Sequence, residues 1–434
     1  MKLKIKNKST KYKNHLIAIA GLALIVIVVF YNVLLPPKPL LAQDSSLVSE
    51  VISRQRNASG KDIYWNTTGY LGNGGGRLAG KLGKARIDFI MWRKLFPVKF
   101  RNTFDFPFAV FLVGLGFYLF CVSLELKPLA AFTGAASIML SGDFISATYS
   151  GHTGKFFMWA YLCFAIWLLT SGIRKRNILL LLWAGICGGI GVSSQLDIGF
   201  IIVLFFFAWT LFLIWQTRNQ KRWVKLSAGL AIACAAGLIY SASTVYTLMG
   251  LARSAEGKTS QAKDTRTEAE KWNWATQWSL PKAETLTFVM PGFFGFGLPD
   301  SPYWGKIGQD ARWPKQHIGF PRFSMSTQNM GIIVFALAIL ALATAAKMDS
   351  YSKKTIYFWG IAIIVALLFA YGRYFDIGGV SESGFGPYRL FYSLPKMESM
   401  RNPLKFLFPF MMGISLLASY GMQYIIVDEN NNKQ

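Results

Sequence analysis

Asp44 stands just beyond the first long apolar run, in Ala42-Gln43-Asp44-Ser45-Ser46. Partial burial at a membrane surface raises a carboxylate's pKa towards the range in which it can take a proton from a hydroxyl, which makes Asp44 the candidate general base. An aspartate there also suits a solvated loop or a helix cap. A second polar block, Ser141 to Lys155, sets Asp143, His152 and Lys155 between two apolar runs. Charges so placed are costly against lipid, so they are expected to face water or a ligand cavity. Lys155 suits a phosphate; a loop histidine and a snorkelling lysine are the plain alternative.

Aromatic residues beside amides and carboxylates recur in two further stretches. One contains Asp62-Ile63-Tyr64-Trp65-Asn66, and the other runs from Trp272 through Trp278 and Glu284 to Met290-Pro291-Gly292, followed by Tyr303-Trp304-Gly305. Rings of this kind stack on the C–H faces of sugars while polar neighbours meet the hydroxyls, although the same rings also collect at membrane interfaces. The run Gly72-Asn73-Gly74-Gly75-Gly76 lacks the Lys-Ser/Thr ending of a phosphate loop and reads as a flexible turn. His15, His152 and His317 are far apart in sequence, and Cys121, Cys163, Cys187 and Cys234 sit singly inside apolar runs, so carboxylates would have to hold any metal ion.

These residues must be positioned by a membrane scaffold. The 434 residues are 53% hydrophobic and only 15% charged, well short of the share a soluble domain carries. Apolar runs at 16–35, 106–126, 128–145, 156–173, 178–194, 199–215, 226–249, 330–346, 356–371 and 404–427 predict an all-α polytopic protein with about ten spans. A basic tail (1–14) precedes them, and two long loops, 36–105 and 250–329, interrupt them. The whole chain reads as one membrane domain. The first run ends at Leu35-Pro36-Pro37 without a small-residue cleavage site, which predicts an uncleaved anchor.

Net charge is +25, yet the cations lie between apolar runs, which favours anionic lipid headgroups over nucleic acid as partners. With the N-terminus inside, the short basic loops at Lys127, Arg174-Lys175-Arg176, Arg218 with Lys221-Arg222, and Lys347 with Lys353-Lys354 all fall on the cytoplasmic side. The C-terminus then lies inside too, and the long loops lie outside with some helix of their own. Arg373, Arg389, Lys396 and Arg401, in the shorter segment 372–403, weigh against this orientation.

Tyr64-Trp65-Asn66, Gly151-His152-Thr153-Gly154-Lys155, the stretch Gln277-Trp278-Ser279 through Lys282-Ala283-Glu284 to Gly295, and Met400-Arg401-Asn402-Pro403-Leu404-Lys405-Phe406 together resemble the YfhO family of bacterial membrane proteins. That family belongs to the GT-C class of lipid-linked-sugar glycosyltransferases. Its members are often longer, with more spans and an outer domain past the point matching Gln434, so this chain reads as a short form or a fragment beside them. The resemblance implies a GT-C-like bundle in the bacterial cytoplasmic membrane. It also implies transfer of a sugar, with inversion, from a polyprenyl-phosphate carrier to an envelope polymer or lipid acceptor on the outer face. It casts Asp44 as the base and His152 and Lys155 beside the departing phosphate, with cationic groups or a divalent metal stabilising that phosphate. Asp143, Asp62, Trp65, Asn66, Trp278, Glu284 and Arg401 are secondary candidates. A transporter or lipid flippase, and a non-catalytic scaffold, are the competing readings. The first of these lacks the internal repeat such folds often carry.

Overall fold

The computed structural model describes residues 2–40, 87–142, 152–219, 221–258, 267–295, 302–308, 328–375, 386–394, 397 and 400–432. Besides a single turn at Tyr31–Leu34, its α-helices are α1 (Lys2–Val29), α2 (Ile87–Leu95), α3 (Val98–Ser123), α4 (Pro128–Met139), α5 (Thr153–Lys175), α6 (Ile178–Ser194), α7 (Leu196–Gln216), α8 (Trp223–Lys258), α9 (Glu268–Thr276), α10 (Ile332–Thr344), α11 (Ser350–Ala370), α12 (Pro387–Tyr392) and α13 (Leu407–Asn432). Seven of them contain stretches long and apolar enough to cross a bilayer, and three shorter apolar helices, Pro128–Met139, Ile178–Ser194 and Ile332–Lys347, carry the remaining apolar runs. The chain is therefore an all-α, multi-pass membrane protein among the described residues.

Local chemistry marks where these helices start and stop. Pro128 opens α4, where its missing N–H costs nothing. The Asn177 side chain caps α6 by accepting from Leu179 N at 2.9 Å, and Asp349 caps α11 by accepting from Tyr351 N at 2.9 Å. Thr267 and Glu270 form a reciprocal capping box on α9.

α4, α10 and α11 pack against α13, which is buried continuously from Leu407 to Gly421. Trp209, Trp359 and Phe120 interlock beside it, and the indole of Trp209 donates to Thr170 Oγ1 at 2.9 Å. With lipid outside, such contacts win by close packing rather than by expulsion of water. The tightest seam joins α6 and α8: a Cβ on Gly185 would lie 2.1 Å from Ala233 O, and one on Gly189 would lie 2.7 Å from Gly237 O. The outer faces stay apolar and exposed, as with Ile332 and Ile333 on α10 and Leu238 and Ile239 on α8.

The connecting segments gather at two ends. At one end, Arg174 donates to Ser123 O and, at 2.5 Å, to Glu125, and its guanidinium lies 4.7 Å from the Tyr351 ring centroid. There too Lys127 N donates to Gln423, Gln216 to Tyr351 O and Arg176 to Thr217 O, while Lys354 lies over Trp215. The short basic loops thus share one end of the bundle. At the other end Gly142 N donates to Asn329 O, Leu280 N to Ala370 O, Asn402 N to Ala275 O and Met330 N to Phe288 O, which knits the long segments into a platform.

Candidate functional site

Three elements meet at the platform end. α5 begins at His152, whose carbonyl accepts from Lys155 N at 3.0 Å. Its first turn presses on the turn between α6 and α7: a Cβ on Gly154 would sit 3.0 Å from Ser194 O and 3.5 Å from Gln195 Oε1, so a larger residue would force the two elements apart. Gln195 then donates from Nε2 to Asp197 Oδ1 at 3.2 Å, and Asp197 Oδ2 forms an ion pair with Lys405 Nζ. Lys405 lies on the 3-10 turn Pro403–Phe406, which follows Asn402 in the left-handed region (φ 76°) and has proline at its first position.

A line of contacts therefore runs from the start of α5 through Gln195 and Asp197 to Lys405. Below it, the rings of Trp159 and Phe408 pack at 5.1 Å. Trp159 is four residues after Lys155 and Phe408 three after Lys405, so each lysine stands about one helical turn outward from that packed pair. The pair Asp197–Lys405 is half-buried, with side-chain exposures of 29% and 13%. Lys155 brings a positive charge to the border of this region from the first turn of α5, while the charge of Lys405 is met by Asp197.

The platform borders the same site. Trp278 is buried and its carbonyl accepts from Leu404 N at 3.2 Å, tying the aromatic block directly to the turn that carries Lys405. A Cβ on Gly372 (φ +50°) would meet Ser279 Oγ at 2.1 Å and Pro403 Cγ at 2.7 Å, so three segments converge where only glycine fits. Arg389 stacks over Trp272 at 4.8 Å and Arg401 over Trp274 at 4.9 Å. Glu284 is engaged elsewhere: it accepts from the Tyr303 hydroxyl and from Lys306 N, each at 2.6 Å, and so clasps the 302–308 segment. Burial pushes its carboxyl above the usual range despite those bonds, and burial together with the neighbouring Glu284 raises the Tyr303 hydroxyl.

The structure brings His152, Lys155 and Trp278 to one end of the bundle, with Arg401 on the platform surface and Glu284 in its clasp. Asp44, Asp62, Trp65, Asn66 and Asp143 lie outside the described residues. Sequence reasoning missed the Asp197–Lys405 pair, since nothing in a single sequence links residues 208 apart. It also missed Asp88 and Asp105, which accept from Tyr240 (2.5 Å) and Trp92 (2.8 Å). Among the described residues, no three His, Cys, Asp or Glu side chains gather to hold a metal ion. No protein-family model matches the chain, nor does any curated protein or solved structure.

Proposed function

We propose that the chain is a ten-span, GT-C-like glycosyltransferase of a bacterial cytoplasmic membrane, with both termini cytoplasmic. It moves a sugar from a polyprenyl-phosphate donor to an envelope polymer or lipid acceptor at the outer face. The observation carrying this reading is the line of contacts from the start of α5 to Lys405, bordered by aromatic rings, at the end away from the short basic loops. An anionic lipid phosphate and a sugar ring need this combination of cations and aromatic faces.

In this mechanism Asp44 takes the proton from an acceptor hydroxyl. The oxygen attacks the anomeric carbon from the face opposite the phosphate, the sugar–phosphate bond breaks, and the lipid phosphate leaves with the bonding electrons, inverting the centre. His152 and Lys155 hold the phosphate as its charge grows, which is where electrostatic stabilisation contributes most.

Asp44→Asn is expected to abolish transfer while membrane abundance stays at the wild-type level, read by mass analysis of envelope glycans from cells with each form. Normal glycan in that variant removes Asp44 from the mechanism. Solubilised wild-type protein that neither binds nor cleaves a polyprenyl-phosphate sugar would favour a scaffold instead, and substrate flux across vesicles without transfer would favour a flippase.

A further inference from the structure

Arg176, at the basic end, is a buried cation that the fold leaves half used. It terminates α5 in the left-handed conformation (φ 50°), and the residue is only 7% exposed. Its Nη2 donates to Thr217 O at 2.9 Å, and its guanidinium lies 4.8 Å from the ring centroid of Trp223. The Nε and Nη1 groups reach no hydrogen-bond partner among the described residues, and no carboxylate there pairs with it. Its neighbour Arg174 is already committed to Glu125, and the exposed residues alongside, Lys175 and Arg222, are cations as well. A buried guanidinium with two unpaired nitrogens is strongly unfavourable unless an anion completes it.

The surroundings specify the kind of anion. Leu179 and Trp183 on α6, and Trp223 and Val224 on α8, are exposed apolar residues in the first turns that follow these loops, Val224 at 81%. The nook thus sits where apolar helix faces give way to polar loops, the level of a headgroup phosphate with its acyl chains alongside. We propose that Arg176, under Trp223 and flanked by Lys175 and Arg222, binds the phosphodiester of an anionic glycerophospholipid. Both nitrogens are covered in this structure, so the phosphate oxygens accept from Nε–H and Nη1–H once the side chains over the guanidinium shift aside, and the flanking cations favour a headgroup lacking a positive charge of its own.

The test is thermal unfolding of the purified full-length protein in detergent, titrated with dioctanoyl phosphatidylglycerol, dioctanoyl phosphatidylcholine or inorganic phosphate. Phosphatidylglycerol is expected to raise the wild-type Tm saturably, with little effect from the other two. In Arg176→Gln the apparent affinity for phosphatidylglycerol should fall about ten-fold or more, the loss expected for charge-assisted bonds. Should that variant fail to fold, the double variant Lys175→Gln/Arg222→Gln, at exposed positions, should show the weakened titration instead. An unchanged titration in every folded variant overturns the proposal. So does an equal response to phosphatidylcholine, or one to inorganic phosphate, which would mark a soluble-anion site.

Discussion

Glu284 illustrates how neighbours set the state of a single carboxyl. It is 1% exposed, and burial outweighs the two hydrogen bonds it accepts, so its pKa in the folded chain lies above that of the unfolded chain. The native state therefore holds this proton where the unfolded state has released it. Stability from this group is full below the ordinary glutamate range and is lost as pH rises through the raised folded value. Glu284→Gln, which keeps the shape and one acceptor, should lack that slope: the wild-type-minus-variant difference in Tm should shrink with rising pH across that window, and a flat difference would contradict the assignment. The sequence made Glu284 conspicuous as a carboxylate within the aromatic block but could not reveal the clasp, because its partner Tyr303 comes from a separate segment. Lys405 and Asp197 were opaque for the same reason: each reads as an ordinary end-of-helix charge until folding across 208 positions joins them.

At the scale of elements, the apolar runs were readable, because helix existence in lipid follows from local composition. Which helices touch was not readable, since packing in a bilayer depends on shape rather than apolar area. The α6–α8 seam offers a test with its own control. Gly185 and Gly189 face the backbone carbonyls of Ala233 and Gly237, whereas a Cβ on Gly188 would meet nothing within 4 Å. Gly185→Ala should therefore lower stability by about 1–3 kcal/mol, the usual cost of overpacking, seen as a lower Tm in detergent. Gly188→Ala should match or exceed wild type, since alanine favours the helix. Equal Tm values for both variants would mean the two helices do not approach this closely.

For the whole molecule, the decisive question is which end faces the cytoplasm. The loops holding Lys127, Arg174 to Arg176, Arg218 to Arg222 and Lys347 to Lys354 share one end, and short cationic loops resist translocation. The cations of the 372–403 segment seemed to argue the other way, but three of them are absorbed by the fold. Arg373 lies buried with Tyr374, Arg389 stacks on Trp272 and Arg401 on Trp274. Side chains spent on such contacts belong to a folded platform, and their charge is a poor guide to topology. The prediction is that, in a cysteine-free background, Lys282→Cys on the platform is labelled in intact spheroplasts by a membrane-impermeant maleimide, while Lys221→Cys is labelled only after permeabilisation. The reverse pattern would put the platform in the cytoplasm, where the proposed outer-face transfer could not occur. Labelling of both from outside would break the two-ended bundle itself, because the loops that carry these residues are held at opposite ends by the contacts of Gln216 and Leu280.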